Sequence, residues 1–83
     1  MASVYAEDYQ YVISMLKKAR KDRGITQVQL SEAFGRPQSF IAKVENGERR
    51  LDIVEFLHLS RLLNLEPSAV IDKIYRKREP LKL

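Results

Sequence analysis

Apolar residues in this chain recur at intervals of three and four, and three glycines cut that rhythm into short lengths. Gly24, Gly35 and Gly47 are the only glycines, eleven and twelve residues apart. Spacing of this kind lines up one face of an α-helix, whereas a strand needs an interval of two, which no segment shows. Glycine ends a helix readily because it enters the left-handed backbone region without strain. The chain is therefore confined to short helices joined by tight turns. The expected fold class is all-α, a compact five-helix single domain over residues 1–83, with a core from about 9 to 78 and flexible tails at 1–8 and 79–83.

The first helix is expected from about Tyr9 to Arg23, with Tyr9, Val12, Ile13, Leu16 and Ala19 as its stripe. The second opens at Thr26. Thr26 and Gln29 have capping-box spacing, in which the hydroxyl accepts a backbone N–H three residues on and the carboxamide reaches back. Its buried face is Leu30, Ala33 and Phe34, and Gly35 ends it. The third begins near Pro37, carries Phe40, Ile41 and Val44, and stops at Asn46-Gly47. The fourth opens at Asp52, with Glu55 at capping distance; Ile53, Phe56, Leu57 and Leu63 form its core stripe, and Val54, Leu59 and Leu62 add apolar surface elsewhere. The fifth starts near Pro67 and carries Val70, Ile71, Ile74 and Tyr75.

Composition narrows the function. There is no cysteine, hence no disulfide and no thiolate metal site, and His58 is the only histidine. Neither a metal nor a cofactor is expected. No apolar run approaches the roughly 20 residues that cross a bilayer, and no signal-peptide pattern opens the chain, so a cytoplasmic location without membrane contact is expected. Enzymatic activity is not expected: the sequence holds no nucleophile–base arrangement and no phosphate-binding glycine loop on a strand, and a bundle this small has little room for a pocket or a small-molecule effector. The net charge is +4, concentrated in residues 17–23 and 73–82, each with five basic side chains and one acid. That distribution favours a polyanionic partner.

The segment from Thr26 to Arg50 carries the functional signal. Two helices joined by a short glycine turn can cross steeply, the first over a duplex backbone and the second in the major groove. The second must be apolar inside and polar outside. Gln38, Ser39, Ala42 and Lys43 occupy the outer side of the third helix. Glutamine matches adenine N6 and N7, lysine donates to guanine O6 and N7, serine pairs with either, and alanine leaves room or meets a thymine methyl. Arg36 is placed to reach a base edge or a phosphate. Gln27 lies in a helix first turn, where free amides attract an anion. Asn46, Arg49 and Arg50 follow the reading helix as phosphate contacts, which set register without carrying sequence information.

The pattern Thr26-Gln27, Leu30, Gly35, Ile41 and Glu45-Asn46-Gly47 closely resembles the Xre/Cro-type helix-turn-helix domains of bacterial and phage repressors, the lambda repressor-like fold. The resemblance covers roughly Leu16 to Leu65, and the five-helix layout extends it towards Ile74. It implies a phosphate contact at Gln27, base reading at Gln38, Ser39 and Lys43, and an internal ion pair between Arg20 and Glu45. Two residues depart from the pattern. Pro37 stands where many members carry a polar cap and cannot cap through its side chain, and Glu48 puts a negative charge among the phosphate contacts, which implies that it turns away from DNA.

These readings converge on a sequence-specific double-stranded DNA-binding transcriptional regulator, a repressor or activator of bacterial or phage type. A single domain makes few contacts, so a homodimer is expected, with Leu59, Leu62, Val70, Ile74 and Tyr75 as its face. Ile71 and Ile74 serve equally well to pack the fifth helix on the domain's own core. The alternative is a protein-interaction module, an antitoxin or adaptor subunit with a protein partner, on the same scaffold. Leu30, Phe34, Ile41, Val44, Phe56 and Leu57 are expected core, with Phe40 packing at the edge of the reading helix or touching a thymine methyl.

Overall fold

The computed structural model describes residues 4–77 and 79–82. Five helices follow in order: α1 Val4–Asp22, α2 Gln27–Phe34, α3 Ser39–Glu45, α4 Ile53–Leu62 and α5 Pro67–Tyr75. No strand occurs among the described residues. α3 packs on α1 and α2, α4 packs on α2, and α5 packs on α1. The core draws on every helix: Ile13 and Leu16, Leu30, Phe40, Ile41 and Val44, Phe56, Leu59 and Leu63, and Val70 are all buried.

The helix ends explain why the turns are tight. Thr26 Oγ1 accepts the Gln29 N–H at 3.0 Å, and Gln29 Oε1 accepts the Thr26 N–H at 2.9 Å. Asp52 and Glu55 close a second capping box at the start of α4. Such boxes satisfy amides that a helix leaves unpaired at its start. At the end of α2, Gly35 has φ +76°, its N–H reaches the Glu32 carbonyl, and the Arg36 N–H reaches back to Ser31. α4 ends without glycine. Asn64 takes the left-handed conformation, φ 53°, and the Leu65 N–H closes on the Ser60 carbonyl at 2.8 Å. Asparagine is among the few side chains that tolerate this region.

Four expectations are corrected. α1 begins at Val4, not near Tyr9, so residues 4–8 are helix; Asp8 ties this first part to α5 through Lys77 Nζ at 2.7 Å. Residues 1–3 and 83 of the expected tails lie outside the described residues, and 79–82 carry no regular structure. On α2 the buried position is Ser31, with Ala33 exposed, because the inner face runs through Leu30, Ser31 and Phe34. On α4 the expected phase is turned: Leu59 is 1% exposed, whereas Ile53 is 62% and Leu57 45% exposed. Leu59 and Val70 therefore cannot form a dimer face, since both are spent on the domain's own core. Leu62 and Ile74 are half-buried, and Tyr75 alone of the expected face stands well clear.

Candidate nucleic-acid interface

α3 is seven residues long and buries Phe40, Ile41 and Val44. That fixes its rotation. Gln38 at the N-cap, with Ser39 and Lys43 one turn apart, is left on the exposed side, and Ala42 between them is half-buried. Among the described residues, none of the three exposed polar side chains hydrogen-bonds to another side chain of the domain.

Pro37 leaves α3 without a cap of its own. Gln38 is right-handed, φ −60° and ψ −23°, and its side chain makes no capping bond. Ser31 of α2 supplies the missing acceptor. Its Oγ takes the Ile41 N–H at 3.2 Å and donates to the Gln38 carbonyl at 3.2 Å. Ile41 is the third helical residue, the amide that an N-cap side chain ordinarily serves. A buried hydroxyl on α2 thus caps α3 across the turn and fixes the crossing of the two helices. Spacing alone hides this role, because Ser31 and Ile41 are ten residues apart.

Arg20 and Glu45 form the deepest charged contact. Arg20 Nε donates to Glu45 Oε2 at 2.7 Å and Nη2 to Oε1 at 3.0 Å, while Nη1 holds the Ile25 carbonyl at 2.8 Å. The side chains are only 9% and 5% exposed. Burial by itself would raise the Glu45 carboxyl, but hydrogen bonds from Arg20 and Gln27 and the charges of Arg20 and Lys17 outweigh it and hold the pKa below the ordinary 4.5. The network binds the end of α1, the start of α2 and the end of α3 into one unit.

Gln27 belongs to that network. Its Nε2 donates to Glu45 Oε1 at 2.8 Å, so the side chain is turned inward towards a buried carboxylate that needs donors. Asn46 Nδ2 lies 3.4 Å from Glu48 Oε2, so Glu48 leans on its neighbour. Arg50 lies over the Tyr9 ring at 4.7 Å, and the Tyr9 hydroxyl bridges the Arg49 carbonyl and the Leu51 N–H at 3.4 and 3.0 Å. Tyr9 thereby pins the α3–α4 loop to α1, a role its place in the stripe does not announce.

Arg36 and Arg49 are not free. Both donate to Glu55, a residue that spacing identifies only as a cap. Arg36 Nη2 reaches Oε2 at 2.9 Å; Arg49 Nη1 and Nη2 reach Oε1 and Oε2, each at 2.9 Å. Both guanidinium groups lie against Phe40, at 4.9 and 5.0 Å from its centroid, and Phe40 stacks on Phe34 at 5.5 Å. Phe40 is consequently 7% exposed, a packing residue under two cations. The bonds from Arg49 and Asp52 and the charges of both arginines keep the Glu55 carboxyl below the ordinary value despite its burial.

Among the described residues no cluster of histidine, cysteine or carboxylates could hold a metal, and no helix is long and apolar enough to cross a membrane. A family model described as helix-turn-helix matches residues 16–70. A solved structure, that of an XRE-family like protein from Pseudomonas syringae pv. tomato str. DC3000, is similar at 39% identity with a TM-score of 0.81, over 92% of this chain and 93% of the other. Nothing matches among curated proteins.

Proposed function

This chain belongs to the Xre/Cro-type helix-turn-helix family of DNA-binding regulators, and from that premise we propose that it is a sequence-specific transcriptional regulator reading the major groove with α3. The observation that carries the proposal is the sided character of α3. Its inner face is locked by Phe40, Ile41 and Val44, and its outer face offers Gln38, Ser39 and Lys43. A donor–acceptor row on a rigid helix is what base-edge recognition requires. Phosphates would be met by the first-turn amides at Gln27 and by Asn46 and Arg50 on either side. The regulator acts in the cytoplasm, without cofactor or catalysis.

A homodimer is part of this proposal, with its face revised. Ile53, Val54 and Leu57 on α4 and Ile71 and Tyr75 on α5 are exposed, and Ile53 and Ile71 line one groove with Val12 and Phe56. Large exposed apolar patches mark association surfaces. A second copy is the occupant that would also double the number of bases read, on half-sites about 34–36 Å apart. Selection of bound sequences from random duplexes tests function and symmetry together. The expected result is an enriched pseudo-palindrome. Absence of enrichment, with a protein partner co-purifying, would replace this reading with that of an antitoxin or adaptor module.

A further inference from the structure

Two arginines beside the reading helix share one carboxylate. Arg36 lies two residues before Gln38, and the Arg49 backbone N–H donates to the Lys43 carbonyl at 3.3 Å, so both stand next to the row Gln38, Ser39 and Lys43. Glu55 enters from the first turn of α4 and is 8% exposed. Its acceptor positions are filled. Oε1 takes the Asp52 N–H and Arg49 Nη1; Oε2 takes Arg49 Nη2 and Arg36 Nη2; all four distances are 2.9 Å. The Phe40 ring forms an apolar wall against both guanidinium planes. Paired guanidinium groups are the donors best matched to the oxygens of a phosphate, and a carboxylate presents similar oxygens in the same fork.

We propose that Glu55 is an internal stand-in for a DNA phosphate: it fills the fork of Arg36 and Arg49, withholds both from the duplex backbone, and so limits the electrostatic share of the domain's affinity. The inference rests on the DNA-binding reading above. With Glu55 in place the cluster presents one net positive charge where two arginines alone would present two. Arg49 spends both terminal nitrogens internally, and Arg36 spends one. Glu55 is a positioning residue that touches no base. A purely structural Glu55 and a phosphate stand-in differ in sign: loss of the first weakens DNA binding, loss of the second strengthens it.

Glu55→Gln separates them, because glutamine keeps an oxygen for the Asp52 N–H and removes the charge that holds the arginines. The full chain, this variant and Arg49→Ala are titrated with a mixed-sequence duplex between about 50 and 200 mM salt, with thermal melts alongside. Glu55→Gln is expected to bind roughly 3- to 10-fold more tightly at low salt, with a salt slope steeper by about 0.9 to 1.8, one or two added phosphates. Arg49→Ala, with Glu55 present, is expected to leave the slope unchanged. An unchanged or shallower slope for folded Glu55→Gln would overturn the proposal. If that variant is unfolded at the assay temperature, Arg49→Ala decides alone, and a slope reduced by about 0.9 overturns the proposal. Wild-type binding with either overturning result leaves the DNA-binding reading standing; no binding by the wild type even at the lowest salt removes both.

Discussion

Lys43 and Ser31 illustrate two ways in which one side chain can matter. Lys43 is exposed on the outer face of α3 and bonded to no other side chain. A base contact is worth about 1–3 kcal/mol of discrimination. Lys43→Ala should therefore weaken binding to the selected sequence about 5- to 150-fold and binding to random duplex far less. Equal losses on both, read by anisotropy, would remove Lys43 from the base readers. Ser31 acts through the fold: Ser31→Ala leaves the Ile41 N–H unpaired in a buried place, at a cost of about 1–3 kcal/mol. Its melt should fall by several degrees, and an unchanged melting temperature would show that α3 needs no cap. At this scale the sequence exposes chemistry better than partnership. Side chains that point outward, such as Gln38, Ser39 and Lys43, follow from helical phase. Those that meet across the fold, such as Ser31 with Ile41 or Arg36 with Glu55, do not, because their pairing depends on how two helices cross.

At the scale of the element, helix existence was legible because the capping residues are local. Thr26 with Gln29 and Asp52 with Glu55 each lie within one turn, so the spacing that suggests the box is the spacing that closes it. The phase of α4 was not legible. Ile53, Val54, Phe56, Leu57, Leu59, Leu62 and Leu63 surround its axis, and a helix apolar all round gives no phase. Packing against α2 and the rest of the core selects Phe56, Leu59 and Leu63 and leaves Ile53, Val54 and Leu57 outside. The joint between α1, α2 and α3 makes a sharper prediction. Removing one partner of a buried ion pair costs about 3–5 kcal/mol, so Glu45→Gln should lower the melting temperature substantially at neutral pH. Because the folded Glu45 pKa is lowered, its contribution is complete above the ordinary value of 4.5 and is lost as pH falls below it through the folded value. The gap in melting temperature between wild type and Glu45→Gln should narrow below that pH. A gap constant from neutrality into acid would mean that the carboxylate charge is not what holds the three helices.

For the molecule as a whole, the question is what covers the apolar face that folding leaves open. Ile53 and Leu57 form one pair a turn apart on α4, and Ile71 and Tyr75 form another on α5, with Tyr75 79% exposed. None of the four belongs to the buried core, and Ile53 and Tyr75 are mostly exposed, so replacing such residues tests association with less effect on folding than Leu59 or Val70, which would test only stability. Burial distinguishes these cases: truncating a fully buried leucine costs about 2–5 kcal/mol, while surface changes usually stay within about 0.5 kcal/mol. Light scattering of the wild type at micromolar concentration should give about twice the 9.7 kDa chain mass. Ile53→Glu with Leu57→Glu should give the single-chain mass with a similar melt, since the charges would have to be desolvated in an interface but remain hydrated in the monomer. The same pair should weaken binding to a palindromic duplex more than to an isolated half-site, because only the former uses both copies at once. A double variant that still dimerises would move the interface away from Ile53 and Leu57, and a wild type that runs as a monomer would remove the homodimer and leave α3 to read its site as a single copy.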